Sequence, residues 1–324
     1  MTITDVIDNY RADLERVEGQ IQAGLDSKAV LVRKMGGYIL QGGGKRIRPL
    51  LLMISANLTG NPGPDAVLLA ATVEFIHTAS LLHDDVVDEA ELRRGQSSAN
   101  SVWGNAATIL VGDYLYSKAL HQSVQTGNHR AVDILSRTTT AMSEGEILQL
   151  LKSGDHSTTE EEYLEIIERK TAILMSSACR LAAVVGNMPP DKEEALAGYG
   201  MDLGLAFQLL DDALDYTAEE AKLGKSLGKD LEEGKLTLPL IHLLGVCTDD
   251  EADKVKSILS EDSLLKEDLD CILGLMHDNG SIRYAVDRAK SLIERAKARL
   301  DVFPPSPHKD ALIAVADFVV EREM

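Results

Sequence analysis

Phe75-Ile76-His77-Thr78-Ala79-Ser80-Leu81-Leu82-His83-Asp84-Asp85-Val86-Val87-Asp88-Glu89, followed at a short distance by Arg93-Arg94-Gly95, sets three acids into an apolar run. No proline or glycine interrupts residues 75–89, and apolar side chains recur at helical spacing, so the stretch predicts a helix. Asp84 and Asp88 are four apart and share one helix face, with Asp85 beside them. Leu81, Leu82, Val86 and Val87 surround these acids, unlike an ordinary polar helix face. Carboxylates set among apolar residues need a cation. Mg²⁺ suits them, because it takes one or two carboxylates and leaves its other positions to water and phosphate.

The device recurs downstream. Phe207-Gln208-Leu209-Leu210-Asp211-Asp212-Ala213-Leu214-Asp215-Tyr216 again sets two aspartates four apart with a third beside the first. One such motif is a weak signal, and a solvated acidic patch is its more ordinary reading. Two copies in apolar helices, one followed by Arg93-Arg94, point to a diphosphate held through Mg²⁺.

Working outward, the chain has 324 residues and is 44% hydrophobic but only 4% aromatic. Leu, Ala, Ile and Val therefore do the packing, which suits helices. The formal charge of −19 argues against a nucleic-acid partner. Cys179, Cys247 and Cys271 have no CxxC spacing and read as reduced, buried thiols. Met1-Thr2-Ile3-Thr4-Asp5 lacks a basic region followed by an apolar run, so a cytoplasmic location is expected. No uninterrupted apolar stretch reaches the roughly 18 residues of a spanning helix, so any membrane contact would be peripheral.

Helical patterns fill the chain. The first covers about 3–25, with Thr4 or Asp5 as cap, and the second covers 30–40. Gln41-Gly42-Gly43-Gly44-Lys45-Arg46-Ile47-Arg48-Pro49 follows; its glycines free the backbone to approach a ligand, and Lys45 and Arg48 offer cations. The bland alternative is a flexible turn with solvated bases. Further helices are predicted over about 99–125 and 131–151, then from Thr158 or Thr159, through Glu168-Arg169-Lys170-Thr171-Ala172, into 173–185. The helix with the second aspartate motif covers about 193–216. A Gly/Lys-rich loop, Lys222 to Lys235, lies just beyond Asp215 and reads as a lid or a surface loop. Amphipathic helices without a chemical motif complete the chain. No segment has strand period, so the reading is one all-α domain over residues 1–324.

Taken together these residues resemble the trans-type polyprenyl diphosphate synthases, over nearly the whole chain. The resemblance rests on Gly42 to Pro49, both aspartate motifs, and Gly224-Lys225-Ser226-Leu227-Gly228-Lys229-Asp230. It implies a single-domain bundle of antiparallel helices around a central active-site cavity, the isoprenoid synthase fold. It implies up to three Mg²⁺ ions on Asp84, Asp88 and Asp211, with Asp85, Asp212 and Asp215 acting through bound water or as supports. By the same resemblance, an allylic diphosphate such as farnesyl diphosphate is held by Arg93, Lys170, Lys225 and Lys235, and Thr171 and Gln208 face the allylic cation. Lys170, Thr171 and Gln208 thus form the implied catalytic group, and isopentenyl diphosphate takes Lys45, Arg48, His77 and Arg94. Without the resemblance His77 reads as a core histidine, and Lys170 as a lysine snorkelling to solvent.

Ser80 and Ala79 precede Asp84 by one helical turn, and helical side chains lean that way. Both are small, and Ile76 is the next layer. The resemblance then implies a long product, as in octaprenyl diphosphate synthases, used for quinone side chains. It also implies a homodimer, with the segment from Val102 to Leu120 as interface. Two alternatives stay open. A terpene cyclase would share the fold but need no second co-substrate site. A non-catalytic subunit of a heteromeric synthase would lack the aspartate motifs that this chain keeps.

Overall fold

The computed structural model describes residues 1–41, 46–93, 95–217, 228–232, 234–261 and 265–321. The expected helices are present. They are α1 (Ile3–Asn9), α2 (Arg11–Gly24), α3 (Val30–Gln41), α4 (Ile47–Leu58), α5 (Pro64–Val87), α6 (Ala99–Trp103), α7 (Asn105–Gln125), α8 (His129–Lys152), α9 (Glu160–Ile167), α10 (Ile173–Val185) and α11 (Pro190–Leu214). Beyond them come the helices Lys229–Glu232, Leu238–Val246, Asp249–Leu259, Lys266–Asp278, Ser281–Arg299 and Pro307–Glu321. Among the described residues the chain is all-α but for one ladder of two-residue strands, β1 (Leu92–Arg93) and β2 (Gln96–Ser97). That ladder is too short for a period of two to register in the sequence, and the all-α class holds.

Three boundaries also differ. The first helix breaks at Tyr10 (φ −104°, ψ 12°), a buried side chain whose hydroxyl hydrogen-bonds His308 Nδ1 at 2.6 Å. Its cap is Thr2, in a capping box with Asp5, rather than Thr4 or Asp5. The helix predicted over 99–125 breaks at Gly104, whose φ of 81° lies in the left-handed region that glycine tolerates.

The chain forms two compact units. The first comprises residues 1–140, 174–200 and 297–318. In it α5 packs against α2, α4 and α7. Leu69, Val73, Phe75, Ile76 and Leu82 are buried on α5, each worth roughly 1.5–3 kcal/mol relative to exposure. Gly24 makes room for Phe75, because a Cβ there would lie 2.6 Å from the ring. By length and apolarity α5 is the one helix among the described residues able to cross a membrane. Yet 72% of its most apolar window is buried inside the protein, as in a core helix.

The second unit comprises residues 141–173, 201–296 and 319–324. Its core joins Tyr216 to Leu231, Leu240, Leu243, Val255, Ile258, Ile272 and Met276. The helices Leu238–Val246, Asp249–Leu259 and Lys266–Asp278 thus pack against Tyr216, just past the second aspartate motif. Of the three thiols only Cys179 is buried, and burial pushes it up to about 12; Cys247 and Cys271 are half-buried, which corrects their reading. All three are unbridged.

Candidate active site

The first aspartate motif closes α5. Its helix carries two stripes. Val73, Ile76, Ala79, Leu82 and Asp85 are buried, whereas His77, Ser80, Leu81, Asp84 and Asp88 are partly accessible. Asp88 is the C-cap, and its N–H donates to the Asp84 carbonyl at 2.8 Å, so the two aspartates stay one turn apart on one side. Ser80 therefore shares the face of Asp84. Ala79, expected beside it, belongs to the buried stripe with Ile76.

Past Asp88 the chain reverses. Glu89 takes a left-handed φ of 48°, and Gly95 one of 75° at the hairpin tip. The pairings Leu92↔Ser97 and Arg93↔Gln96 bring Arg93 back to the helix. Its Nε donates to Asp85 Oδ1 at 2.5 Å. Asp85 is only 2% exposed; burial raises its carboxyl above the usual range, and the guanidinium of Arg93 opposes that rise.

Of the four residues implied for isopentenyl diphosphate, Lys45 and Arg94 lie outside the described residues. Arg48 sits in the first turn of α4 and His77 on the accessible stripe of α5. Arg46, the N-cap of α4 (φ 48°), pairs with the buried Glu74 of α5 at 2.5 Å and with Glu18 at 3.4 Å. It pins the start of α4 to α5 and so sets where Arg48 begins.

The second motif is built differently. Along α11, Gln208 and Phe207 are partly accessible, Asp211 is exposed and Asp212 is buried. Three hydrogen bonds run through this region. Thr171 Oγ1 donates to Gln208 Oε1 at 3.0 Å, Gln208 Nε2 to Asp212 Oδ1 at 2.7 Å, and Tyr163 Oη to Asp212 Oδ2 at 2.5 Å. Burial pushes Asp212 up to about 6, against the pull of its two donors. Asp215 serves the backbone beyond: its Oδ2 accepts from Asp230 N at 2.9 Å and its carbonyl from Gly228 N at 3.0 Å.

Lys170 and Thr171 lie in a π turn, Glu168–Ala172, between α9 and α10. Such turns are rare and concentrate at functional sites. Two glycines admit it. A Cβ on Gly145 of α8 would lie 2.7 Å from Lys170 N, and one on Gly204 of α11 would lie 2.6 Å from Ala172 Cα. Lys170 Nζ pairs with Glu146 at 2.8 Å, so it does not snorkel to bulk water. The Lys235 amide donates to Asp230 O at 2.8 Å; Lys225 lies outside the described residues. Sequence reasoning missed Tyr163, Glu146 and the two glycines. Tyr163 stands seven residues before Lys170, two turns along a helix, but nothing in that spacing names its partner.

Among the described residues no three His, Cys, Asp or Glu side chains assemble into a metal cage. Asp84 and Asp88 remain a pair of accessible carboxylates, since Asp85 is withdrawn to Arg93. A pair of hard oxygen donors fits Mg²⁺, which keeps several waters or phosphate oxygens, and would be too few for a dedicated protein cage.

Residues 29–276 match the family model described as polyprenyl synthetase. The chain is 40% identical over 311 residues to the octaprenyl diphosphate synthase of Escherichia coli strain K12, covering 96% of each chain. It is similar to the crystal structure of a decaprenyl diphosphate synthase from Rhodobacter capsulatus, with TM-score 0.95, 37% identity and 99% of each chain covered. It is also similar to a polyprenyl synthase from Caulobacter crescentus CB15 complexed with calcium and isoprenyl diphosphate. That match has TM-score 0.94 and 38% identity, covering 100% of this chain and 98% of the other.

Proposed function

The chain belongs to the polyprenyl synthetase family and is a prenyltransferase, and on that premise we propose that it condenses isopentenyl diphosphate with an allylic diphosphate to give a long all-trans polyprenyl diphosphate. One observation carries the reading: in each motif the outer aspartates are partly or fully exposed while the middle aspartate is buried and held. That arrangement suits carboxylates which share Mg²⁺ with phosphate oxygens.

In this reading Asp84, Asp88 and Asp211 hold the metal, which when bound supplies charge to neutralise the leaving diphosphate. Arg93, Lys170, Lys225 and Lys235 bind the allylic diphosphate, and Lys45, Arg48, His77 and Arg94 bind isopentenyl diphosphate. The allylic carbon–oxygen bond breaks, and the electron pair leaves with the diphosphate. Thr171 and Gln208 direct oxygen dipoles at the cation, and apolar surroundings keep water from capturing it. The double bond of isopentenyl diphosphate attacks, a proton is lost to the released diphosphate, and the product is one isoprene unit longer.

Ser80, on the accessible stripe, lines the path of the growing tail, with Ala79 and Ile76 behind it. Residues 1–324 act as one synthase domain in the cytoplasm. A second copy of the chain covers Val102, Ile109, Leu110 and Leu120, all exposed apolar residues of α6 and α7. Quinone side-chain synthesis would consume the product. Purified protein incubated with farnesyl diphosphate, radiolabelled isopentenyl diphosphate and Mg²⁺ tests all this. A ladder of longer prenyl diphosphates is the expected result; a cyclic hydrocarbon, or no product without an added subunit, refutes the reading.

A further inference from the structure

Tyr163 has no part in the reaction above, yet it is buried and its hydroxyl is spent on Asp212 Oδ2. The other carboxyl oxygen of Asp212 faces Gln208 at 2.7 Å. A carboxylate oxygen accepts and cannot donate, so Gln208 must turn its NH₂ toward Asp212. Its carbonyl oxygen is then on the side of Thr171, whose hydroxyl hydrogen it takes at 3.0 Å. The Thr171 oxygen keeps its lone pairs for whatever lies beyond. The π turn supports the chain of bonds: Ala172 seats against Gly204, and Gln208 is one turn further along α11.

We propose that Tyr163 and Asp212 are positioning residues that lock the amide direction of Gln208, so that oxygen dipoles rather than N–H groups meet the allylic cation. The inference rests on the prenyl-transfer reading. It separates Asp212 from its neighbour: Asp211 is a metal ligand, whereas Asp212 acts only through Gln208. Tyr163 commits Oδ2, which leaves Asp212 one free oxygen and Gln208 one way to face it. An asparagine at 212 could donate as well as accept, and would release the lock.

Steady-state kinetics of Asp212→Asn and Tyr163→Phe, with both substrates varied and Mg²⁺ titrated, test the lock. In D212N kcat should fall about tenfold to a hundredfold. Both KM values should stay within about twofold, as for an interaction made only in the transition state. The Mg²⁺ half-saturation should not move. Y163F loses one tether and should lower kcat about threefold to tenfold in the same pattern. A wild-type kcat in D212N overturns the inference. So does a rise in KM alone, or a Mg²⁺ half-saturation shifted about tenfold, which would make Asp212 a metal ligand. If D212N does not fold, Y163F decides, and an unchanged kcat there overturns the inference. A wild-type protein that elongates no primer defeats the prenyl-transfer reading and this inference with it; the other results strike the inference alone.

Discussion

Asp85 and Asp212 hold the same place in two motifs with the same spacing, and the protein secures them by different chemistry. Asp85 lies under a hairpin that returns a guanidinium to it at 2.5 Å. Asp212 lies between a phenol and an amide, both neutral. Burial raises both carboxyls, but only at Asp85 does a full opposite charge oppose the rise. The first motif is therefore braced by an ion pair and the second by hydrogen bonds. The outer aspartates differ as well: Asp88 ends its helix, whereas Asp215 holds the following backbone through Asp230 and Gly228. A shared motif thus specifies the face that carries the carboxylates, not what stands behind it.

The largest effect tests what the motifs share. Asp84→Ala and Asp211→Ala should each cost about 10²–10³ in elongation rate, read with radiolabelled isopentenyl diphosphate. On the proposed reading, in which both acids serve one diphosphate, the double variant should be little worse than either single one. Multiplying losses would mean that the clusters act on separate steps.

What distinguishes the motifs shows in stability. Arg93→Ala leaves a buried carboxylate without its ion pair. It should cost roughly 1.5–3 kcal/mol of unfolding free energy in urea, allowing for the partial exposure of Arg93. Tyr163→Phe removes one neutral hydrogen bond and should cost about 1 kcal/mol. Equal costs would erase the contrast between ionic and neutral bracing.

The accessible stripes give a finer contrast. One turn before Asp84 stands the small Ser80; before Asp211 stand Phe207 and Gln208. Tail length should therefore respond at the first helix. Ser80→Phe should shorten the product ladder on thin-layer chromatography while leaving the fold intact. Ala79→Phe should instead overpack the core by about 1–3 kcal/mol. The reverse pattern would put Ala79, not Ser80, on the tail path.

The smallest effect is a pH slope. Asp212 sits near 6 in the folded chain against an ordinary 3.8, so between those values the folded state binds more protons than the unfolded one. Its contribution is full below about 3.8 and is lost as pH rises through 6. In Mg²⁺-free buffer the melting temperature should carry a falling component from pH 4 to 6, and D212N should lack it. An unchanged slope in D212N would place the titration elsewhere.

Much of this was legible beforehand. Helix identity and the pairing of Asp84 with Asp88, and of Asp211 with Asp215, follow from spacing, because i and i+4 lie on one face whatever surrounds the helix. The breaks at Tyr10 and Gly104 were not legible as breaks. At the first, the Tyr10 hydroxyl meets His308, nearly 300 positions away; the second carries the weak signal of one glycine. Ala79 and Ser80 looked equivalent as small neighbours, and only burial separates them.

The linear chain alone determined the all-helical class and the faces on which the acids stand, since both depend on a period of a few residues. Tertiary structure alone decided which aspartate of each trio turns inward and what meets it there. Arg93 arrives by a hairpin, Tyr163 from 49 positions away, and the π turn is seated by glycines on two other helices. Such partners are chosen by where separate elements come to rest, and no local repeat records that.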